Sequence, residues 1–197
     1  MQAMTRRQTM TAIILVAGLA ACQTPPPKPQ YPEITFYNLE PIHLDVARIE
    51  VVDDYVPPMR APNVEQEFPV PIYSVARRWA HDRLRAVGTT GIARVVIKDA
   101  SAIESDLRKT PGLKGAFTTD QATRYTARVQ MAVEVRDDHG FKQASAEASA
   151  TRSNTLPEDA TLNQRDQLFF DMTEALMRSV DQELEKNIRT YMARFLR

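Results

Sequence analysis

Groups able to do chemistry are few and scattered along this chain. Cys22 is the only cysteine in 197 residues, and it closes the apolar run from Ile13 to Leu19 behind the small pair Ala20-Ala21. The three histidines stand far apart, at 43, 81 and 139. His139 follows Asp137 and Asp138, a donor set that suits a divalent cation. The same residues with Gly140 also make an ordinary solvated hairpin turn, which is the expectation here. Asp53-Asp54 reads as a strand end. There is no G-x-S-x-G, no glycine-rich phosphate loop, no H-E-x-x-H and no calcium loop. The chain is therefore expected to be no enzyme, with no catalytic residue, metal or cofactor. One charged group is concentrated: Arg77, Arg78, His81 and Arg85. The four-residue spacing of 77, 81 and 85 places them on one side of a helix, with Arg78 beside them. Guanidinium groups pair bidentately with phosphate, so this face suits an anionic lipid headgroup or lipopolysaccharide. The plainer expectation is a solvated helix face.

The segment around Cys22 has an ordered layout. Arg6 and Arg7 form a basic start, Ala12 to Leu19 a short apolar run, and Leu19-Ala20-Ala21 leads into the cysteine. A bilayer span needs about 20 apolar residues, so the run has the layout of a secretory signal. Leu19-Ala20-Ala21-Cys22 resembles the lipobox of bacterial lipoproteins. That resemblance implies that the Cys22 thiol takes a diacylglyceryl group, that the chain is cut before Cys22, and that the new amine is acylated. Two or three acyl chains give stable attachment without a transmembrane helix. Gln23 stands where an aspartate retains such lipoproteins in the inner membrane, so the resemblance implies the outer membrane, facing the periplasm. Thr5-Arg6-Arg7-Gln8 lacks the aromatic and leucine of a twin-arginine signal, which favours general secretion.

Three regions follow: residues 1–21 as signal peptide, 22–41 as lipidated N-terminus and tether, and 42–197 as one domain. The mature chain would have 176 residues, enough for one core without staples. It loses two of its 25 basic residues and keeps all 25 acidic ones, for a net charge of −2. Nucleic acid, which wants a basic balance, is not an expected partner. With Cys22 lipidated, no disulfide forms. Thr24 to Pro32 holds five prolines in nine residues. This composition excludes helix and favours an extended spacer.

The domain reads as strand, helix, three strands, helix. Ile42 to Val52 alternates, with a slip near Ala47-Arg48 that suggests a bulge. Pro57 to Pro71 is a surface loop with five prolines. Ile72 to Val87 is a helix with Val75, Trp79, Ala80, Leu84 and Val87 on its apolar side and Gly88 as its C′ residue. Ile92 to Ala100 is a strand that continues toward Leu107, and Lys109 to Gln121 is a loop. Tyr125 to Val135 alternates cleanly and returns through the 137–140 turn as Phe141 to Arg152. That return strand carries Ala144, Ala146, Ala148 and Ala150 on one face, a flat row that lets a helix come close. The helix is Leu162 to about Phe195, opened by a Thr161/Gln164 capping box. Its stripe runs Phe169, Met172, Leu176, Val180, Leu184, Ile188, Tyr191 and Phe195. At about 50 Å it outruns ordinary strands of about 17–20 Å, so its end is expected to project and seek a partner.

The expected fold class is α+β: a mostly antiparallel sheet of about four strands with two helices packed on one face. With the lipobox and tether, this order resembles a group of small envelope lipoproteins, among them the LPS-assembly lipoprotein and the auxiliary lipoprotein of ABC-type lipid transport systems. Tyr37-Asn38-Leu39-Glu40-Pro41, Ile49-Glu50-Val51 and Tyr55-Val56-Pro57 are similar to the opening of the second. The resemblance implies a non-enzymatic accessory or scaffold that binds an envelope protein partner. The alternative reading is a lipid- or glycan-binding module using the basic helix face.

Overall fold

The structure is a computed structural model that describes residues 30–107 and 121–197, with side chains from residue 123 onward in the second stretch. Cys22, the signal and most of the proline tether lie outside the described residues, as does most of the expected 109–121 loop.

A sheet with two helices on one face forms the α+β architecture expected. Seven strands are β1 (Ile42–Leu44), β2 (Arg48–Asp53), β3 (Leu84–Ala86), β4 (Ile92–Asp99), β5 (Ala102–Asp106), β6 (Gln121–Arg136) and β7 (Lys142–Pro157). The helices are α1 (Ile72–Arg83) and α2 (Leu162–Tyr191). β4 pairs with the C-terminal half of β6 and β5 with its N-terminal half, both antiparallel. The two are thus one strand broken at Ala100-Ser101, as the reading toward Leu107 expected. β7 pairs antiparallel with β6 on its other edge, and β2 lies parallel to β4. The parallel step is the β2–α1–β4 crossover.

The β6–β7 hairpin organises the molecule. Tyr125, Ala127, Val129, Met131, Val133 and Val135 are all buried, and Ala146, Ala148 and Ala150 are buried beside them. The neighbouring Ser145, Glu147, Ser149 and Thr151 face solvent. α2 lies across β7 and β6. It begins as expected: Gln164 N donates to Thr161 Oγ1 at 3.3 Å and Thr161 N to Gln164 Oε1 at 2.8 Å. Phe169, Met172, Leu176, Val180, Leu184 and Ile188 are buried along it.

Four expectations change. The projecting helix end is absent, because β6 and β7 are 16 residues each, about 50 Å, and cover a 30-residue helix of about 45 Å. Tyr191 is left exposed and Phe195 half-buried, so the stripe ends at Ile188. The chain then turns at Met192, and Leu196 forms an antiparallel bridge with Leu44. Second, the slip near Ala47 is a change of sheet, since β1 pairs with β3 while β2 pairs with β4. Third, the first helix stops at Arg83. Leu84 leaves it in extended backbone to join β1, a tertiary pairing that overrides the helical period. Fourth, Gly88 is therefore no helix cap. A Cβ there would lie 2.7 Å from Val46 N, so glycine is needed for the close passage of two backbones.

Candidate functional site

Of the four residues expected to make an anion-binding face, three lie on α1 and Arg85 lies on β3. Arg77 and Arg78 lie on α1 and point to acidic neighbours. Arg77 Nη1 donates to Asp53 Oδ2 at 2.7 Å and to the Tyr73 hydroxyl at 2.9 Å. Arg78 pairs with Glu33 at 3.3 Å and donates to the Ile34 carbonyl at 3.1 Å. His81 is exposed, 3.3 Å from the buried Asp82 carboxylate. Arg85 belongs to β3, not to the helix, and its guanidinium folds back onto the carbonyls of His81 and Leu84. Each helical cation thus has a carboxylate beside it, which shrinks the positive field the spacing promised. Asp53 is the end of β2, as read.

The strongest polar site lies inside, between the helices. Arg83, whose side chain is 1% exposed, donates through Nε to Asp181 Oδ1 at 2.8 Å. Its other nitrogens reach Glu185 and the Glu40 carbonyl. Trp79, read as a core residue, is fully buried and donates Nε1 to the same Asp181 oxygen at 2.8 Å. The Glu185 carboxyl is pushed up by partial burial, but Arg189 and Arg83 outweigh this and hold it below its ordinary value. Nearly a hundred residues separate Arg83 from Asp181, so periodicity gives no sign of this pairing. The one clue is that Asp181 falls beside Val180 and Leu184 on the buried side of α2.

A second buried carboxylate fastens the proline loop. Glu65 accepts from Tyr55 Oη at 2.7 Å, Asn63 Nδ2 at 3.2 Å and Ala102 N at 3.1 Å. Burial opposes its ionisation, yet these donors prevail and its carboxyl lies below the usual range. The Tyr55 phenol is pushed up, by burial first and then by Glu65.

A cleft of about 370 Å³ opens where the β6–β7 turn, the segment before β4 and the C-terminal tail meet; Asp45, Gly91, Arg136, Asp138, Arg194 and Phe195 are among its walls. Each of its charged side chains has a partner, and Arg194 donates to the Gln143 carbonyl. Asp45 pairs with Arg197, Arg136 with Glu134 at 2.6 Å, and Asp138 accepts from Gly91 N at 2.8 Å. Asp137 is spent on the turn, accepting from His139 N at 3.0 Å, Phe141 N at 2.9 Å and Gln143 Nε2 at 2.8 Å. Among the described residues, no three metal-ligating side chains converge, and no helix is long and apolar enough to cross a membrane. The arrangement among the described residues is one of internal ties.

No protein-family model matches the chain, and no curated protein matches it in sequence. Solved structures similar in shape include two lipoproteins. A minor lipoprotein from Acinetobacter baumannii is 15% identical, with 78% of this chain and 96% of that one covered at a TM-score of 0.37. The rare lipoprotein B of Shewanella oneidensis is 13% identical, with 73% and 95% covered at a TM-score of 0.40.

Proposed function

We propose that this protein is a membrane-anchored bacterial lipoprotein without catalytic activity. It serves an outer-membrane assembly or lipid-transport system, lipopolysaccharide transport included, as an accessory or scaffold that contacts an envelope protein. Leu19-Ala20-Ala21-Cys22, set between a short apolar run and a proline-rich spacer, carries the reading. An acyl-modified Cys22 fixes the domain to the periplasmic face of the outer membrane, where its function is exerted by position and contact. The internal pairing of the charged groups among the described residues fits a binding role better than a chemical one. It also favours protein contact over the alternative of an anionic lipid or glycan held by Arg77, Arg78, His81 and Arg85.

The test compares the wild type with Cys22→Ser in fractionated cells. The wild type should run as a cleaved, membrane-bound species carrying acyl chains by mass spectrometry. The Cys22→Ser protein should be released or remain uncleaved. A Cys22→Ser protein that is still mature and membrane-bound would overturn the anchor. Cross-linking of the wild type in envelopes should then recover a defined envelope protein, and recovery of none above background would count against the accessory role.

A further inference from the structure

The two ends of the domain are different. The β6–β7 turn at Asp137–Gly140, the cleft and the C-terminal tail lie at one end, because Arg194 donates to the Gln143 carbonyl and Leu196 meets Leu44. The opposite end holds the close of β5 at Asp106, paired with Thr123, the close of β7 at Pro157, and the start of α2 at Leu162. The ends are about 50 Å apart, the length of a 16-residue strand.

The chain enters from the second end. Tyr31 stacks on Phe170 with ring centroids 5.1 Å apart, and the backbone then climbs past Arg78, which meets Glu33 and Ile34, to Asp82, which accepts from Phe36 N at 2.9 Å. Phe170 lies eight residues beyond Leu162, a rise of about 12 Å. Gln30 is eight peptide units from Cys22, a reach of at most about 29 Å. From the level of Phe170, the turn end is about 38 Å away, on the same 1.5 and 3.3 Å rises. The anchor cannot lie beyond it. It reaches past the α2-start end easily.

Exposed apolar side chains stand singly at both ends, Phe141 and Tyr191 at the turn end and two at this one. Leu162 is 71% exposed at the first position of α2. Met59 is 66% exposed at the tip of the loop after β2, with left-handed backbone at φ 54°. The loop descends beside β4, where Tyr55 N meets the Ile97 carbonyl, and climbs back beside β5, where Glu104 N meets the Pro62 carbonyl. The turn that joins the two arms, closed by Asn63 N on the Arg60 carbonyl just after Met59, sits level with Glu104 in β5. Val56, exposed at 79%, precedes Met59 on the descending arm.

We infer that the α2-start end is a membrane-contacting surface: with Cys22 acylated, Met59 and Leu162 dip into the headgroup layer of a phospholipid bilayer. This rests on the lipoprotein reading above. Asp106, Glu158 and Asp159 share the end with Arg60, which follows Met59. The cleft and the hairpin turn then stand away from the bilayer, on the side open to other envelope components.

The experiment uses the full lipidated protein in phosphatidylcholine vesicles with a nitroxide-labelled fraction of the lipid. Acylation occupies the only native thiol, so Met59→Cys, Leu162→Cys and, at the far turn, Phe141→Cys each carry a single environment-sensitive fluorophore. Lipid-borne quenching should be at least three-fold greater at 59 and 162 than at 141. Equal quenching at all three, or more at 141, overturns the orientation. Protection of residue 59 that needs an added envelope extract assigns the end to a protein and overturns the lipid contact. Mass spectrometry separates the two readings. Acylated Cys22 without differential quenching sinks this inference and leaves the anchor standing; Cys22 without acyl chains sinks both.

Discussion

Asp181→Ala would remove the shared acceptor between the helices. Two donors lose their partner at once: Trp79 Nε1 and Arg83 Nε, each 2.8 Å from the same oxygen. Breaking a buried ion pair costs about 3–5 kcal/mol because a charge stays behind in low dielectric. The low end applies, since Arg83 keeps Glu185 and the Glu40 carbonyl and Glu185 is 30% exposed. A loss of about 3 kcal/mol is a large share of a typical stability of about 5–15 kcal/mol. In a chain of this size it lowers Tm by roughly 6–12 °C. The assay is thermal unfolding of soluble protein lacking residues 1–22, followed by circular dichroism. The companion is the double variant Arg83→Met with Asp181→Leu, which withdraws both charges and their desolvation cost. It should recover at least half of the loss, and a double-mutant cycle should show strong coupling. An Asp181→Ala protein that melts within about 2 °C of the parent would refute the reasoning, as about 3 kcal/mol cannot hide in so small a shift. So would a double variant whose loss equals the sum of the singles.

Other outcomes follow from the same geometry. Ala148→Leu meets α2 at a position 3% exposed, so overpacking should cost about 1–3 kcal/mol, whereas Ser149→Leu points to solvent and should melt like the parent; calorimetry of the pair decides. Glu65 has its carboxyl lowered in the folded state, so its contribution is present above the ordinary glutamate range and is lost as pH falls through the folded value. Glu65→Gln should therefore flatten part of the loss of stability on acidification, read from urea midpoints across the acid range. Gly91→Ala is strained twice, at φ 72° and with a Cβ 2.7 Å from the Arg136 carbonyl; it should destabilise by about 1–2 kcal/mol or more, measured by urea unfolding.

Local pattern determined much of this protein. The period of two from Tyr125 to Val135, the alanine row opposite it and the period of α2 each bury one face, so side-chain type alone sorted inside from outside. The capping box was legible because its two partners are three residues apart. Tertiary structure decided what depends on contacts distant in sequence. Pairing of Leu84–Ala86 with β1 ended α1 early and took Arg85 off the helix. Docking of Leu196 on Leu44 turned an expected free helix end into part of the core. The burial of Arg83 against Asp181, and of Asp82 against the Phe36 amide, joins residues 98 and 46 positions apart. A sequence window sees each of these charges as a solvated one; only the packed helices reveal which of them lost its water, and that is a property of the partner brought to it by the fold.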